Sequence, residues 1–138
     1  ALQNDLAERD TNMATFRNKV EFLAGKLNEM EDINCLTPGG SFYVFPDVSA
    51  ICHRYNITSH GLAMYLLQAA DDNFGVACLG GECFGEAGGG FLRFSCAEPD
   101  EKLQEALDFL PGALQNQDRI EAFLAANSGY QLAAPYQV

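Results

Sequence analysis

The stretch "GGGFLRFSCAEPDEKLQEALDFLP", residues 88–111, joins a short apolar strand to the plainest helix in the chain. A strand is predicted over about 91–97 and a helix over about 99–114. Pro99 suits a first turn, Asp100 and Glu101 favour the positive helix end, and Leu103, Leu107, Leu110 and Leu114 share one face. The helix is expected to stop near Pro111 or a turn beyond. Arg93 breaks the pattern, because Phe91, Leu92, Phe94 and Cys96 around it are all apolar and both faces of the strand read as covered. A guanidinium in such a place needs a partner. Its planar fork matches a carboxylate bidentately, so an arginine fixed on a rigid strand is a good receptor for an acidic ligand. The alternative is an edge-strand or end-of-strand arginine that satisfies an internal Asp or Glu, and spacing alone leaves both open.

Upstream of this stretch, Met13, Phe16, Val20, Leu23, Leu27 and Met30 recur at steps of three and four, which predicts one long amphipathic helix over about 11–30. The polar residues 1–10 carry Leu2 and Leu6 in the same period, a half-committed start that hints at a missing neighbour. Two β-rich runs, about 33–36 and 41–45, flank Pro38-Gly39-Gly40 and are expected to form a hairpin. Two helices follow, a short one in "DVSAICHRYN" and a better one in "TSHGLAMYLLQAA" capped by Thr58 or Ser59. A strand over about 75–79 leads into "GGECFGEAGGG", read as a flexible inter-strand loop. A last short helix starts near Asp118, buries Ile120, Phe123 and Leu124, and ends at Gly129, before an apolar-tinged tail. Hairpin strands with flanking helices argue an α+β domain, with helices covering one face of a small, mostly antiparallel or mixed sheet.

A chain of 138 residues with 48% hydrophobic content can bury one core and is too short for two. Eight Lys and Arg stand against 19 Asp and Glu, so the net charge of −11 repels nucleic acid and anionic membranes. There is no apolar run of about 18 residues and no basic-then-apolar leader at the start, so a soluble, cytoplasmic chain is expected. The five cysteines (Cys35, Cys52, Cys78, Cys83, Cys96) lack Cys-x-x-Cys spacing and read as reduced packing residues.

Other chemistry is thin. The glycine-rich run contains neither a dinucleotide fingerprint nor a P-loop, and Glu82 and Glu86 would repel phosphate. Adjacent Cys52 and His53 point about 100° apart on a helix, with His60 beyond a turn, so neither a metal site nor a Cys-His catalytic pair is expected. Lys19, Lys26 and Lys102 fall on helices away from the apolar stripe, as solvated charges do. No catalytic residue is assigned.

Two segments taken together carry a resemblance. "TPGGSFYVFPDV" (37–48), followed by "FGVACLGGECFGEAGGGFLRFSCAEPDEKLQEALDFLP" (74–111), resembles the C-terminal small domain of class I/II aminotransferases, pyridoxal-phosphate enzymes of the aspartate aminotransferase fold type (fold type I). It runs from about Asp10 to Leu114 and rests on Pro38, Gly40, Phe42 and Tyr43 of the hairpin, the small-residue strand ending near Gly81, Phe84-Gly85 and "FLRFS". It implies a small domain over 1–114, with 115–138 an added helix and tail. It also implies that Arg93 receives the substrate α-carboxylate and that Phe42 and its neighbours pack near that substrate. Two departures stand out: Gly80 replaces the usual proline, and Glu82 and Cys83 stand where small neutral residues are common.

The family's cofactor domain, with its Schiff-base lysine, is not in this sequence. The resemblance therefore implies a parent aminotransferase that binds pyridoxal phosphate, acts on an amino acid and a 2-oxo acid, and is a cytoplasmic homodimer. This chain would bind no cofactor, would be inactive alone, and would dock on its own missing large domain. Residues 115–138 are a packing helix and tail, or a subunit contact through Tyr130, Leu132 and Tyr136. A fold-type I decarboxylase or lyase, or a non-catalytic binding or interaction domain of the same fold, are the alternatives.

Overall fold

A computed structural model describes residues 6–137. The long helix, α1 (Leu6–Asn28), starts earlier than the apolar period requires, and only Val20, Leu23, Ala24 and Leu27 are buried on it. Its end is tied down by a side chain. The Asn28 amide donates to the Cys35 carbonyl and accepts from the Cys35 N–H, both at 2.7 Å.

That clasp explains a correction. Residues 33–36 are not a strand, because the Cys35 backbone is already satisfied by Asn28 and only Asn34 pairs, in one isolated antiparallel bridge to Asp47. The loop between them passes Ser41 at φ 77°, and the strand that follows, β1 (Tyr43–Val44), finds a different neighbour. It pairs antiparallel with β3 (Leu92–Ser95), which pairs on its other side, also antiparallel, with β2 (Leu79–Gly80). The order β1-β3-β2 places β3 in the middle of a three-stranded sheet. Strand pairing at 75–79 is likewise confined to its end. Val76 N–H donates instead to the Leu66 carbonyl at 2.9 Å, and a Cβ at Gly75 would sit 2.1 Å from the Leu67 carbonyl oxygen, so this segment packs on a helix end.

Helices α2 (Ser49–Tyr55) and α3 (Ser59–Gln68) are separated by Asn56, whose left-handed backbone (φ 55°) ends α2, and by Thr58, whose hydroxyl accepts from Gly61 N–H to start α3. Helix α4 (Asp100–Leu114) runs through Pro111 and buries Leu103, Leu107, Leu110 and Leu114. Helix α5 (Gln117–Ala126) is capped by the Asn116 side chain on Arg119 N–H and buries Ile120, Phe123 and Leu124. All of these but Leu103 join one core with α1, α3 and the sheet, a core that includes Tyr65, Leu27, Ile51 and Leu92. The fold is α+β, helices around a small antiparallel sheet. The cysteines are all free, and among the described residues no helix is long and apolar enough to cross a membrane.

The glycine-rich run is not a flexible loop. It folds into two 3-10 turns, Gly81–Phe84 and Glu86–Gly88, pressed together so closely that a Cβ at Gly81 would lie 1.9 Å from the Gly88 carbonyl oxygen. Glycine is required there by contact with backbone. Gly80, in place of a proline, is similarly confined, 2.4 Å being all that would separate its Cβ from His60 Cα.

Candidate functional site

Strand alternation sets the site. Along β3, Leu92 and Phe94 point into the core, while Arg93 and Ser95 lie on the opposite face. Two expectations are corrected here: the Arg93 face is half-buried and not enclosed on both sides, and β3 is the central strand and not an edge. Tyr43, registered opposite Ser95, is the diagonal neighbour of Arg93 on that face, and its ring centre lies 4.3 Å from the guanidinium carbon. From the Gly81–Phe84 turn the ring of Phe84 stands 4.6 Å from the same carbon. Rings at such distances attract a cation by about 0.5–1 kcal/mol each at a partly exposed site. They also restrict the long side chain to one place.

What flanks Arg93 is therefore aromatic and not acidic. Among the described residues no carboxylate is within ion-pair distance of it and no protein group accepts a hydrogen bond from it. Among the described residues no buried side-chain nitrogen lacks a partner, so the unpaired N–H groups of Arg93 reach solvent. Of the two readings that spacing left open, the internal carboxylate partner is not present among the described residues.

Phe42 sits one ring further out. It is 38% exposed, with ring centres 4.3 Å from Tyr43 and 5.7 Å from Phe16 of α1. On the other side Phe84 meets Phe45 edge-on at 6.0 Å, and Phe45 stacks on Phe91 at 5.2 Å. Beyond Phe42 opens a groove of about 660 Å³ between the N-terminal half of α1 and the 37–42 loop, lined by Met13, Phe16, Pro38 and Phe42. Arg93 is not part of it. Tyr43 and Phe84 entered the sequence reading only as motif members. Their role as flanking rings depends on a strand register and a turn geometry that no local pattern encodes.

The remaining candidates disperse. Cys52 is buried, its thiol pushed up to about 12 chiefly by desolvation, while His53 is exposed and its Nε2 accepts the Tyr136 N–H at 2.9 Å. Cys83 and His60 approach to 3.9 Å, a pairing across 23 residues that was not expected. Among the described residues no group of three or more His, Cys, Asp and Glu can hold a metal. Lys26 and Lys102 are exposed and paired to Glu29 and Glu105, and Lys19 donates to the Glu98 carbonyl beside Asp100. None is a free amine in a pocket, and Glu82 and Glu86 occupy the glycine-rich turns, so these residues do not fit a pyridoxal-phosphate site.

Sheet order, motif order and the unpaired arginine define a small domain of the aspartate aminotransferase type. No protein-family model matches the chain. It is 33% identical over 114 residues to the aspartate/prephenate aminotransferase of Nitrosomonas europaea, 78% of this chain and 27% of that protein. It is 30% identical over 102 residues to an aspartate aminotransferase of Pyrococcus horikoshii, 74% of this chain and 24% of that protein. Among solved structures, a tetra mutant of Thermus thermophilus aspartate aminotransferase superposes with a TM-score of 0.65 at 29% identity, over 82% of this chain and 29% of that one. The chain is a relative of the aminotransferases of aspartate aminotransferase-like fold, and it spans about a quarter of the length of the curated relatives it matches, which fits their C-terminal small domain.

Proposed function

We propose that this chain is the C-terminal small domain of a pyridoxal-phosphate-dependent aminotransferase and that Arg93 is its receptor for the substrate α-carboxylate. The observation that carries the proposal is a guanidinium on a central strand, flanked by Tyr43 and Phe84, with no carboxylate partner among the described residues. Among the described residues no protein group occupies its N–H donors, and a guanidinium fork takes a carboxylate through two parallel hydrogen bonds. In this reading Phe42, one ring beyond Tyr43, packs near the substrate.

Amino transfer between an amino acid and a 2-oxo acid needs an electron sink, which pyridoxal phosphate supplies when an enzyme holds it. The residues of this chain do not fit that cofactor, so in this reading it is held by the rest of a homodimeric, cytoplasmic parent, and the chain alone does not transaminate. The groove beside the N-terminal half of α1 is where the large domain would sit, with Met13 and Phe16 under it.

The test is a titration of the isolated chain with pyruvate, followed through the Arg93 side-chain signals by NMR. A saturable shift is expected, together with a response of the neighbouring Tyr43 and Phe84 ring signals that Arg93→Lys abolishes, because an ammonium cannot reproduce the fork. In the parent enzyme the same substitution should lower kcat/KM by about 100-fold, the scale on which losing one partner of a hydrogen-bonded charge pair acts. Arg93 signals indifferent to pyruvate, together with an Arg93→Lys parent of full activity, would remove the receptor role.

A further inference from the structure

The last residues of the chain are fastened to the turn that supplies one of the two rings beside Arg93. Gln131 bridges to Ile57, Thr58 N–H donates to the Tyr130 carbonyl at 2.8 Å, and Leu132 N–H donates to the Asn56 carbonyl at 3.0 Å. The tail then delivers Tyr136 onto Gly89 and Gly90. A Cβ at Gly89 would sit 2.7 Å from the Tyr136 ring, so the glycines make the seat for it. The Tyr136 hydroxyl accepts from Ser59 N–H at 2.9 Å and donates to one carboxylate oxygen of Glu82. Glu82's other oxygen accepts from Ser59 Oγ at 2.5 Å, and Ser59 Oγ accepts from Gly90 N–H at 3.2 Å.

Among the described residues half-buried Glu82 has no cationic partner, and the protein donors to its carboxylate are two hydroxyls. Two residues on, Phe84 is 51% exposed, and its ring stands beside Phe45 and the Arg93 guanidinium. Its own packing is too slight to hold it. The turn is fixed instead at Gly81, which donates to the Phe91 carbonyl at 2.7 Å, and at Glu82. We infer that Tyr136 is a positioning residue of the Arg93 site: through Glu82 it holds the Gly81–Phe84 turn so that Phe84 lies against the guanidinium. What the positioning serves rests on the proposed carboxylate role, whereas the positioning itself does not.

The experiment is side-chain NMR on the 138-residue chain. Protons on the Arg93 δ-carbon lie beside two aromatic rings and are shifted by their ring currents. Phe84→Leu marks where those signals go when one ring is gone. Tyr136→Phe keeps the ring on its glycine seat and removes only the hydroxyl. It is expected to move the Arg93 signals at least half of the way toward the Phe84→Leu position. Glu82→Gln, which still offers an acceptor to Tyr136, should restore most of the wild-type shift relative to Glu82→Ala.

Arg93 signals at their wild-type position in Tyr136→Phe, with changes confined to residues 131–137, would overturn the inference and leave the tail a strap only. Should Tyr136→Phe not fold, the Glu82→Ala and Glu82→Gln pair decides in the same way: coincident Arg93 signals in the two reject it. Pyruvate separates the two proposals. A displaced Arg93 in Tyr136→Phe with no pyruvate response in the wild type upholds positioning and removes the receptor. An undisplaced Arg93 that still binds pyruvate does the reverse.

Discussion

The two halves of α1 carry the same apolar period and meet different fates. From Val20 to Leu27 the stripe is buried, with Leu27 fully enclosed, whereas Met13 is 61% exposed and Leu6 56% exposed. Phe16, between them, is half-covered by Phe42. A period of 3.6 residues says that one face is apolar and is silent about what covers it. In this chain the sheet and α4 cover the second half, and an open groove lies beside the first.

The sharpest way to break that contrast is a matched pair of truncations. Leu27→Ala is expected to cost about 3–5 kcal/mol, the loss of a buried leucine plus its cavity. Met13→Ala should stay within about 0.5 kcal/mol, as exposed substitutions do. Urea unfolding of both variants decides it. Equal costs would mean that the N-terminal half is covered after all, and concentration dependence of the Met13→Ala midpoint would identify a second copy of the chain as that cover.

The core that receives the second half can also be attacked chemically. Burial pushes the thiols of Cys52 and Cys78 up to about 12 and that of Cys96 to about 11, each from 9.0. The hydroxyl of Tyr136 is likewise raised to about 12 from 10.0, by burial first and by its bond to Glu82 second. A folded-state value above the unfolded one means that the stability is whole below pH 9 and is lost as pH rises toward 12. Between pH 9 and pH 10 the expected loss is roughly 1 kcal/mol for each of Cys52 and Cys78, read as a fall in urea midpoint. Cys52→Ala and Cys78→Ser should flatten that fall, and an unchanged slope would show that these thiols already titrate in the folded chain.

Much of this was legible in the sequence, and the omissions share a cause. Helices were readable because their signals are local: Leu103, Leu107, Leu110 and Leu114 state the face of α4, and the pair Thr58-Ser59 states the start of α3, where Thr58 is the cap. Strand partners were not. Residues 33–36 have strand composition, yet an amide 7 residues away takes the Cys35 backbone, and nothing near Asn28 announces it. Arg93 was found because a charge inside an apolar run is a local anomaly. Its flanking rings come from a diagonal strand neighbour and a 3-10 turn, and the Tyr136–Glu82–Ser59 cluster joins three distant segments. Contacts that depend on register and close glycine packing leave no periodic trace.

A modest effect is expected where the two halves of α1 meet. Lys19 precedes the first buried residue, Val20. Its Nζ donates to the Glu98 carbonyl at 2.6 Å and lies 3.0 Å from the Asp100 carboxylate at the start of α4. Its side chain is only 19% exposed, against 82% for that of Asp100, so the carbonyl bond is shielded and the ion pair is not. Exposed ion pairs contribute about 0.2–1 kcal/mol and weaken with salt, whereas a hydrogen bond from an ammonium to a neutral carbonyl persists. Lys19→Met, which keeps the apolar stem, is expected to cost about 1 kcal/mol at low salt and to retain most of that cost in 1 M NaCl. A cost that vanishes in salt would assign the junction to the Asp100 pair alone, and α1 would then leave the core at Val20 with no polar anchor on the Glu98 backbone.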